Sequence, residues 1–480
     1  MKEKQAKIAI IGGGVAGSTA ALYFGQLGLD VTLFEKENSL VSGPPFCHLH
    51  AGGNLYREIS DAQCVTLLKQ SIDFLRFYPY IVDYRPTVIV LPKSDKGTPL
   101  DLLPRLDLLT AEYEALIEQN KDNEVLGESH NYYKSYSKSD IEALKIKTIV
   151  EEPSNCDEWM IPVAKNIDLD KVQFPLIMVQ EYGLNLFRLA AGTSLGLESL
   201  ESVTLHTSSI VYNVQKNSDA QGWIVSFLKS DTSHQESFDY LINAAGFRTG
   251  KIDDFIGAPC EAMVEFKAAY ISQWDEHNNI KFPEIIFHGE RGTPQGMGQF
   301  TPYPHGYFQL HGMTKEITLY EDGLVANSTV SCQPKLGQDF IAKIENDWKE
   351  KETNIRTNSA IEHLSQFIPS FATAHVGSRP LFGAQQIPGI DPTLRVAEVS
   401  FPKERYARCE IVKVSSVLDM IDAIITELVM LGYIDTQMVE KRVFAQTLHI
   451  DETMLNKRAL SIAKERKYPS ALANRTMPKG

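Results

Sequence analysis

Short apolar runs, each stopped by glycine or an acid, open the chain. Ile8, Ala9, Ile10 and Ile11 form the first and Val31 to Phe34 the second. Continuous runs of this kind read as strands buried on both faces, and the segment between them, through Gly28, reads as a helix. A helix is then predicted from about Asp61 to Arg76, followed by a β-rich stretch, Thr87 to Leu91. From Lys93 to about Val179 the composition turns polar and irregular. It holds a predicted helix over Leu108 to Gln119 and a capping box, Ser137-x-x-Asp140, ahead of another. Between about Leu184 and Gly250 the α/β pattern returns. Val203–Leu205, Ile210–Val214 and Trp223–Phe227 read as short strands, and Tyr240 to Ile242 runs into Asn243-Ala244-Ala245-Gly246. Alternation from Val264 to Val330 predicts an antiparallel sheet. Residues 341 to 367 read as helical. After the stretch 376–389 come a strand near Arg395 to Val399, a helix from about Val414, and terminal helices ending in a basic tail.

Segments of nucleotide-binding character are thus interrupted twice by segments of another kind. The expected fold class is α/β: a discontinuous Rossmann-like domain from residues 1–92, 184–250 and 365–425, with an α+β substrate domain on an antiparallel sheet from 93–183 and 251–364. Residues 426–480 form a helical C-terminal extension. A chain of 480 residues suits two domains.

Composition narrows the function. Hydrophobic residues make up 43% and charged residues 22%, as in an ordinary soluble globule, and the net charge of −14 disfavours nucleic acid as a partner. The cysteines, Cys47, Cys64, Cys156, Cys260, Cys332 and Cys409, form no C-x-x-C pair. Their scatter fits reduced thiols in a cytoplasmic protein and predicts no metal site. The apolar run behind the charged start breaks at three glycines, too short for a signal core of roughly 7–15 residues, and no stretch approaches the roughly 20 apolar residues of a membrane span.

The strongest chemical signal is Gly12-x-Gly14-x-x-Gly17 between the first strand and the first helix. Gly12 permits the tight turn, Gly14 lets backbone approach a pyrophosphate, and Gly17 lets helix and strand pack closely. The first turn, with Val15 and Ala16, offers N–H donors and partial positive charge. Glu35, beside Lys36 at the end of the second strand, can accept hydrogen bonds from ribose hydroxyls. An acid there argues against a 2′-phosphate and favours FAD or NAD over NADP.

With three further marks the chain resembles the D-amino-acid oxidase/glycine oxidase-like superfamily of FAD-dependent oxidoreductases, across roughly residues 7 to 425. The first is the strand entering Asn243-Ala244-Ala245-Gly246, similar to that family's late FAD-contacting turn. The second is Gly377-x-Arg379-Pro380 and the glycine- and proline-bearing stretch behind it, which contains Gly383. The third is the loop His48-Leu49-His50-Ala51-Gly52, where the family brings a loop alongside the isoalloxazine ring. Leu49-His50-Ala51-Gly52 followed by Tyr56, and Phe266-Lys267-Ala268-Ala269-Tyr270, also resemble segments of L-2-hydroxyglutarate oxidase/dehydrogenase. There lysine replaces arginine, Glu-Tyr is lost, and the C-terminal extension is foreign to the pattern. The loop is similar as well to the Trp-His-Ala-Ala-Gly of dimethylglycine and sarcosine dehydrogenases, whose histidine bonds covalently to FAD. The resemblance implies FAD as cofactor, with Val211, Ala244, Ala245, Gly246, Gly383, His50, Ala51 and Gly52 joining Gly12, Gly14, Val15, Ala16, Gly17, Glu35 and Lys36 as its candidate contacts.

What it implies for chemistry is hydride removal from a small carboxylate-bearing substrate, a 2-hydroxy acid or an amino acid, with electrons passing to O₂, quinone or another carrier. A carboxylate wants a planar bidentate donor, and Arg379 matches the family's anchoring arginine. A structural salt bridge is the competing reading, and Lys267 is a candidate assisting charge or a solvated lysine. A hydroxy acid needs a base. His50 can be that base, a covalent FAD anchor or a histidine that bonds locally. His305 and Tyr307, in the expected hairpin TPYPHGYFQLHG with His311, are either catalytic or ordinary sheet residues. The basic tail (Lys457, Arg458, Lys464, Arg466, Lys467, Arg475, Lys479) is either a peripheral membrane or partner contact or a solvated helix face. The rival classes are an FAD-dependent monooxygenase or halogenase, whose Gly-Trp-x-Trp-x-Ile-Pro and Gly-Asp-Ala-Ala-His motifs are absent, and a non-catalytic flavin-binding accessory protein.

Overall fold

The computed structural model describes residues 6–53, 59–218, 221–346, 348–394, 397–439, 442, 444 and 449–477. Tyr56, Arg395 and Lys479 lie outside them.

The opening run becomes β1 (Lys7–Ile11), central in a sheet of six. β1 pairs in parallel with β2 (Asp30–Phe34) on one side and β12 (Tyr240–Asn243) on the other. β8 (Val203–His206) extends the sheet beyond β2, and β20 (Tyr406–Cys409) with its antiparallel partner β19 (Val399–Lys403) extends it beyond β12. Alternate side chains of β1 serve two cores. Ile8 and Ile10 face helices α1 (Val15–Gln26) and α6 (Leu186–Glu198), while Ala9 and Ile11 face a three-stranded meander, β9 (Ser209–Lys216), β10 (Trp223–Lys229) and β11 (Thr232–Phe238). Each isoleucine so buried is worth roughly 1.5–3 kcal/mol, which fixes the strand's register. β11 escapes a sequence reading because TSHQESF carries almost no apolar signal; it is an exposed polar edge.

The second sheet has nine strands. Its order is β17 (Leu324–Ala326), β13 (Ala262–Gln273), β16 (Tyr307–Gly312), β15 (Gly298–Pro302), β14 (Glu284–Phe287), β4 (Thr87–Val90), β6 (Leu176–Val179) and β5 (Tyr133–Tyr136), with β18 (His375–Pro388) also on β13. It is antiparallel except where β4 meets β14. Two strands depart from the expected division. β4 and β18, assigned from sequence to the cofactor segments, belong to this sheet; backbone pairing, not local pattern, decides strand membership. One sheet face packs on Phe266, Tyr270, Trp274 and Phe308. The other, with Ile89, Ile177, Val179, Ile271 and Leu381, turns toward the cofactor-domain core.

Helix α2 (Asp61–Phe77) precedes the long polar insertion, and α3 (Leu103–Gln119), α4 (Lys138–Lys145) and α5 (Cys156–Asn166) lie within it. The Ser137/Asp140 capping box forms as expected. α5 was not expected, since Pro162 sits inside it. α7 (Thr249–Ile256) follows the Asn-Ala-Ala-Gly turn, and the helical stretch near 341–367 is two helices, α8 (Gln338–Glu345) and α9 (Glu350–Ser365). α10 (Val417–Met430) packs on α1 and α2. The C-terminal helix, Glu452–Glu465, packs on α6. Three arginines of the basic tail are engaged within the fold: Arg458 pairs with Glu198, Arg475 with Glu452, and Arg466 binds residues 39–41. No helix among the described residues is long and apolar enough to cross a membrane.

Candidate functional site

The glycine turn makes a cradle. Gly12 has φ +103, and a Cβ there would lie 2.3 Å from the Ala244 carbonyl oxygen; one on Gly17 would lie 1.9 Å from the Gly12 oxygen. These contacts clamp β1, α1 and the Ala244 turn together. Gly14, by contrast, has open space where a side chain would stand, and the N-terminus of α1 has no side-chain cap. Uncapped N–H groups facing open space suit a diphosphate. Glu35 Oε2 accepts from Gly13 N at 2.6 Å and Oε1 from Glu37 N at 2.8 Å, so this acid also braces the turn; burial raises its pKa. Val211 and Ala245 pack with Phe34 beside the same strand ends, whereas Lys36 is paired to Glu37. The cradle therefore fits a dinucleotide by an open Gly14 and free helix donors.

The loop Ser42–Gly53 crosses from this cradle to the inner face of the nine-stranded sheet. It is stitched to the 181–184 segment: Leu184 N donates to Cys47 O, Leu49 N to Tyr182 O, and Gly53 N to Glu181 Oε1 at 2.6 Å. At its near end Pro44 packs against Gly383 of β18, so tightly that a Cβ on Gly383 would lie 2.7 Å from Pro44 Cα. At its far end His48 Nδ1 lies 2.6 Å from Glu284 Oε1, and the His48 and His50 rings are 4.6 Å apart.

Glu284 anchors a buried charge chain. Its second oxygen takes Arg85 Nη1 at 2.5 Å, and Arg85 Nε reaches Asp83 at 3.4 Å. Asp83 lies in β3 (Val82–Asp83), paired with β7 (Gly183–Leu184), and accepts the backbone N–H groups of Thr476 and Met477. Burial by itself would lower the His48 pKa, but the Glu284 carboxylate and Cys47 outweigh it and push the imidazole up to about 10. Burial opposes ionisation of Glu284 too, and His48 and Arg85 overcome it, holding the acid down at about 2. The pair is an imidazolium–carboxylate. Cys47 Sγ, His48 Nδ1 and Glu284 Oε1 lie within 4.8 Å of one another, a donor set zinc could use by type. Here, however, Gln299 Nε2 donates to both Glu284 Oε1 and Cys47 Sγ, and Arg85 holds the other carboxylate oxygen, so the cluster is closed by protein cations and donors.

Glu181 behaves differently. Burial pushes it up to about 7 in spite of hydrogen bonds from the Gly53 and Ala51 backbone, and its Oε2 has no partner.

The remaining expected residues separate. Arg379 lies on β18, its guanidinium over the rings of Phe382 (5.0 Å) and Tyr468 (5.4 Å). Tyr307 is half-buried at the start of β16 and packs toward the cofactor-domain core. His305 is exposed at the tip of the β15–β16 turn with φ +62. The structure gives it a turn position, not a place beside His50 or Arg379. His311, on the inner face opposite Gln299, is held near 3 by burial and the Lys267 charge. Sequence reading missed Glu284, Arg85, Asp83 and Glu181. The available signal was a glutamate opening the otherwise apolar run Glu284-Ile285-Ile286-Phe287.

Comparison with known proteins agrees with this architecture. The family model described as an NAD(P)-binding Rossmann-like domain matches residues 10–43. No curated protein sequence matches the chain. Among solved structures, the chain is similar to the glycerol-3-phosphate dehydrogenase from Bacillus halodurans complexed with FAD (12% identity, 98% of this chain and 74% of that chain, TM-score 0.55). It is similar also to the L-alpha-glycerophosphate oxidase from Mycoplasma pneumoniae with FAD bound (16%, 88% and 95%, 0.55) and to the glycine oxidase from Geobacillus kaustophilus (12%, 93% and 100%, 0.51). The chain shares its fold with these FAD-dependent oxidases and dehydrogenases.

Proposed function

We propose that the protein is an FAD-dependent oxidoreductase that removes a hydride from a small carboxylate-bearing substrate, a 2-hydroxy acid or an amino acid. The observation that carries this reading is the continuity of the site. One loop, Ser42–Gly53, runs from the open cradle at Gly14 to a polar floor on the nine-stranded sheet. FAD, when bound, supplies the hydride acceptor. The protein's own groups do the rest. Gly12, Gly14, Val15, Ala16 and Gly17 hold the phosphates; Glu35, Ala244, Ala245, Gly246 and Val211 surround the adenosine end; Ala51, Gly52 and Gly383 line the loop crossing. Arg379 orients the substrate carboxylate, which the two flanking rings support by keeping the guanidinium plane fixed. His50, its ring tilted against that of His48 at 4.6 Å, is the candidate to move the substrate's hydroxyl or amine proton.

The test is anaerobic titration of the flavin-loaded protein with 2-hydroxy acids, amino acids and N-methylated amines, following the visible flavin band. Bleaching by one class names the substrate, and reoxidation by O₂ or by a quinone names the acceptor. No bleaching by any of them rejects the oxidoreductase reading. Acid precipitation separates the roles of His50, since colour retained in the pellet marks a covalent anchor.

A further inference from the structure

Among the described residues, the buried arginines Arg85 and Arg188 and the half-buried Arg408 and Arg442 come with carboxylates. Arg85 has Glu284, Arg188 has Glu452 at 2.7 Å, Arg408 has Glu410 at 2.9 Å, and Arg442 has Asp73, Asp419 and Asp422. Arg466 does not. Its Nε and Nη2 donate to Ser39 Oγ (3.2 and 2.9 Å), Nη2 also to Leu40 O (2.6 Å), and Nη1 to Val41 O (3.0 Å). No carboxylate among the described residues lies within ion-pair distance of it. Burial draws its pKa down to about 10, opposed only from farther off by Tyr468, Glu35, Glu37 and Glu465. A half-buried cation with no adjacent counter-charge is costly, and an anion brought beside it relieves that cost.

Its location says which. Residues 39–41 wall the glycine turn: Val41 N donates to Gly13 O at 2.9 Å, and Leu40 packs so closely that a Cβ on Gly13 would lie 2.5 Å from its Cδ2. Arg466 is thus bonded to the strip of backbone that borders the open Gly14 cradle. It is carried there by the C-terminal extension, after the helix Glu452–Glu465 docks on α6. We infer that Arg466 is a cofactor-binding residue, supplying the positive charge that compensates the diphosphate held at the N-terminus of α1, an inference that rests on the FAD reading above. The extension is then part of the cofactor site.

The experiment compares ADP, which carries the diphosphate, with adenosine, which does not, by calorimetric titration of the flavin-free full chain, alongside FAD. R466Q is expected to weaken ADP and FAD about tenfold or more while leaving adenosine unchanged. Its ligand-free thermal midpoint is expected to stay near that of the wild type, and the upward shift on adding FAD to shrink. Should R466Q not fold, R466K is read by the same ADP-to-adenosine ratio. It keeps a charge without the planar fork and is expected to lower the ratio roughly threefold or more. An unchanged ratio in a folded variant, or equal losses for both ligands, overturns the inference while the flavin reading stands. A wild-type chain that binds neither FAD nor ADP overturns the flavin reading itself.

Discussion

Glu284 on β14 and His48 on the cofactor-side loop meet at 2.6 Å, so a strand of the substrate sheet fixes the loop that carries His50. The contact adds a charge pair to a loop otherwise held by hydrogen bonds, among them Leu49 N to Tyr182 O and Gly53 N to Glu181 Oε1. Its strength is directional in pH. The folded-state value of His48, about 10, lies above its ordinary 6.5. The stabilisation it brings is therefore complete below about pH 6.5 and lost as the pH rises through about 10. Glu284 lies below its ordinary 4.5, so its share holds above that pH and is lost as the pH falls toward about 2.

Replacing Glu284 by glutamine leaves buried His48 without its carboxylate and Arg85 with Asp83 alone, and is expected to cost about 3–5 kcal/mol. Urea unfolding at pH 7 measures the loss. Between pH 6.5 and 10 the wild type should lose stability that the variant does not; parallel profiles would show that His48 is not the imidazolium described.

Glu181 has the opposite character, a carboxyl whose folded value is raised above the unfolded one. The stability linked to it is present below about pH 4.5 and lost as the pH rises through about 7. E181Q keeps an acceptor for Gly53 without the charge. It should flatten the stability profile across that window, read by thermal midpoints from pH 4.5 to 8. Flavin fluorescence over the same range reports whether the loop at Gly53 moves with it.

The cradle glycines are expected to divide by mechanism. Gly17→Ala drives a Cβ to 1.9 Å from backbone and should destabilise the ligand-free protein by several kcal/mol, roughly the cost of overpacking a core. Gly14→Ala meets nothing and should leave the ligand-free midpoint within about 1 kcal/mol while weakening FAD. Equal thermal losses in the two variants would contradict an open cradle.

If Arg379 grips a carboxylate, R379M should raise KM for the substrate at least about tenfold, and R379K should recover little, because a point charge lacks the fork. An uncharged substrate analogue should be handled alike by all three. A fall in kcat with KM unchanged would instead assign Arg379 to stacking between Phe382 and Tyr468.

Local signals were readable in the sequence, and long-range ones were not. β1, the glycine turn, α1, β2 and Glu35 follow one another within thirty residues, so periodicity and turn chemistry expose them together. The Ser137 capping box is equally local. Strand membership of β4 and β18 depends on partners far along the chain, and β18 was read for its Arg-Pro motif without the sheet it completes. Pro162 hid α5, since a proline inside a pattern argues against a helix. Glu284 looked like a polar flank to an apolar run because its partners, His48 and Arg85, are recruited from other segments. His305 showed the converse: a histidine in a promising motif, placed by Gly306 and a left-handed turn at an exposed tip. In the basic tail, a count of charge does not show that Arg458 meets Glu198 and Arg475 meets Glu452.

The closing of Asp83 by the N–H groups of Thr476 and Met477 bears on how the molecule comes into being. β1 waits for β12, β12 waits for β20, and Asp83 waits for the final turn. Such distant pairings make assembly slow and leave apolar edges uncovered on a growing chain. The half-made protein leaving the ribosome would carry a complete glycine fingerprint yet no finished nucleotide pocket.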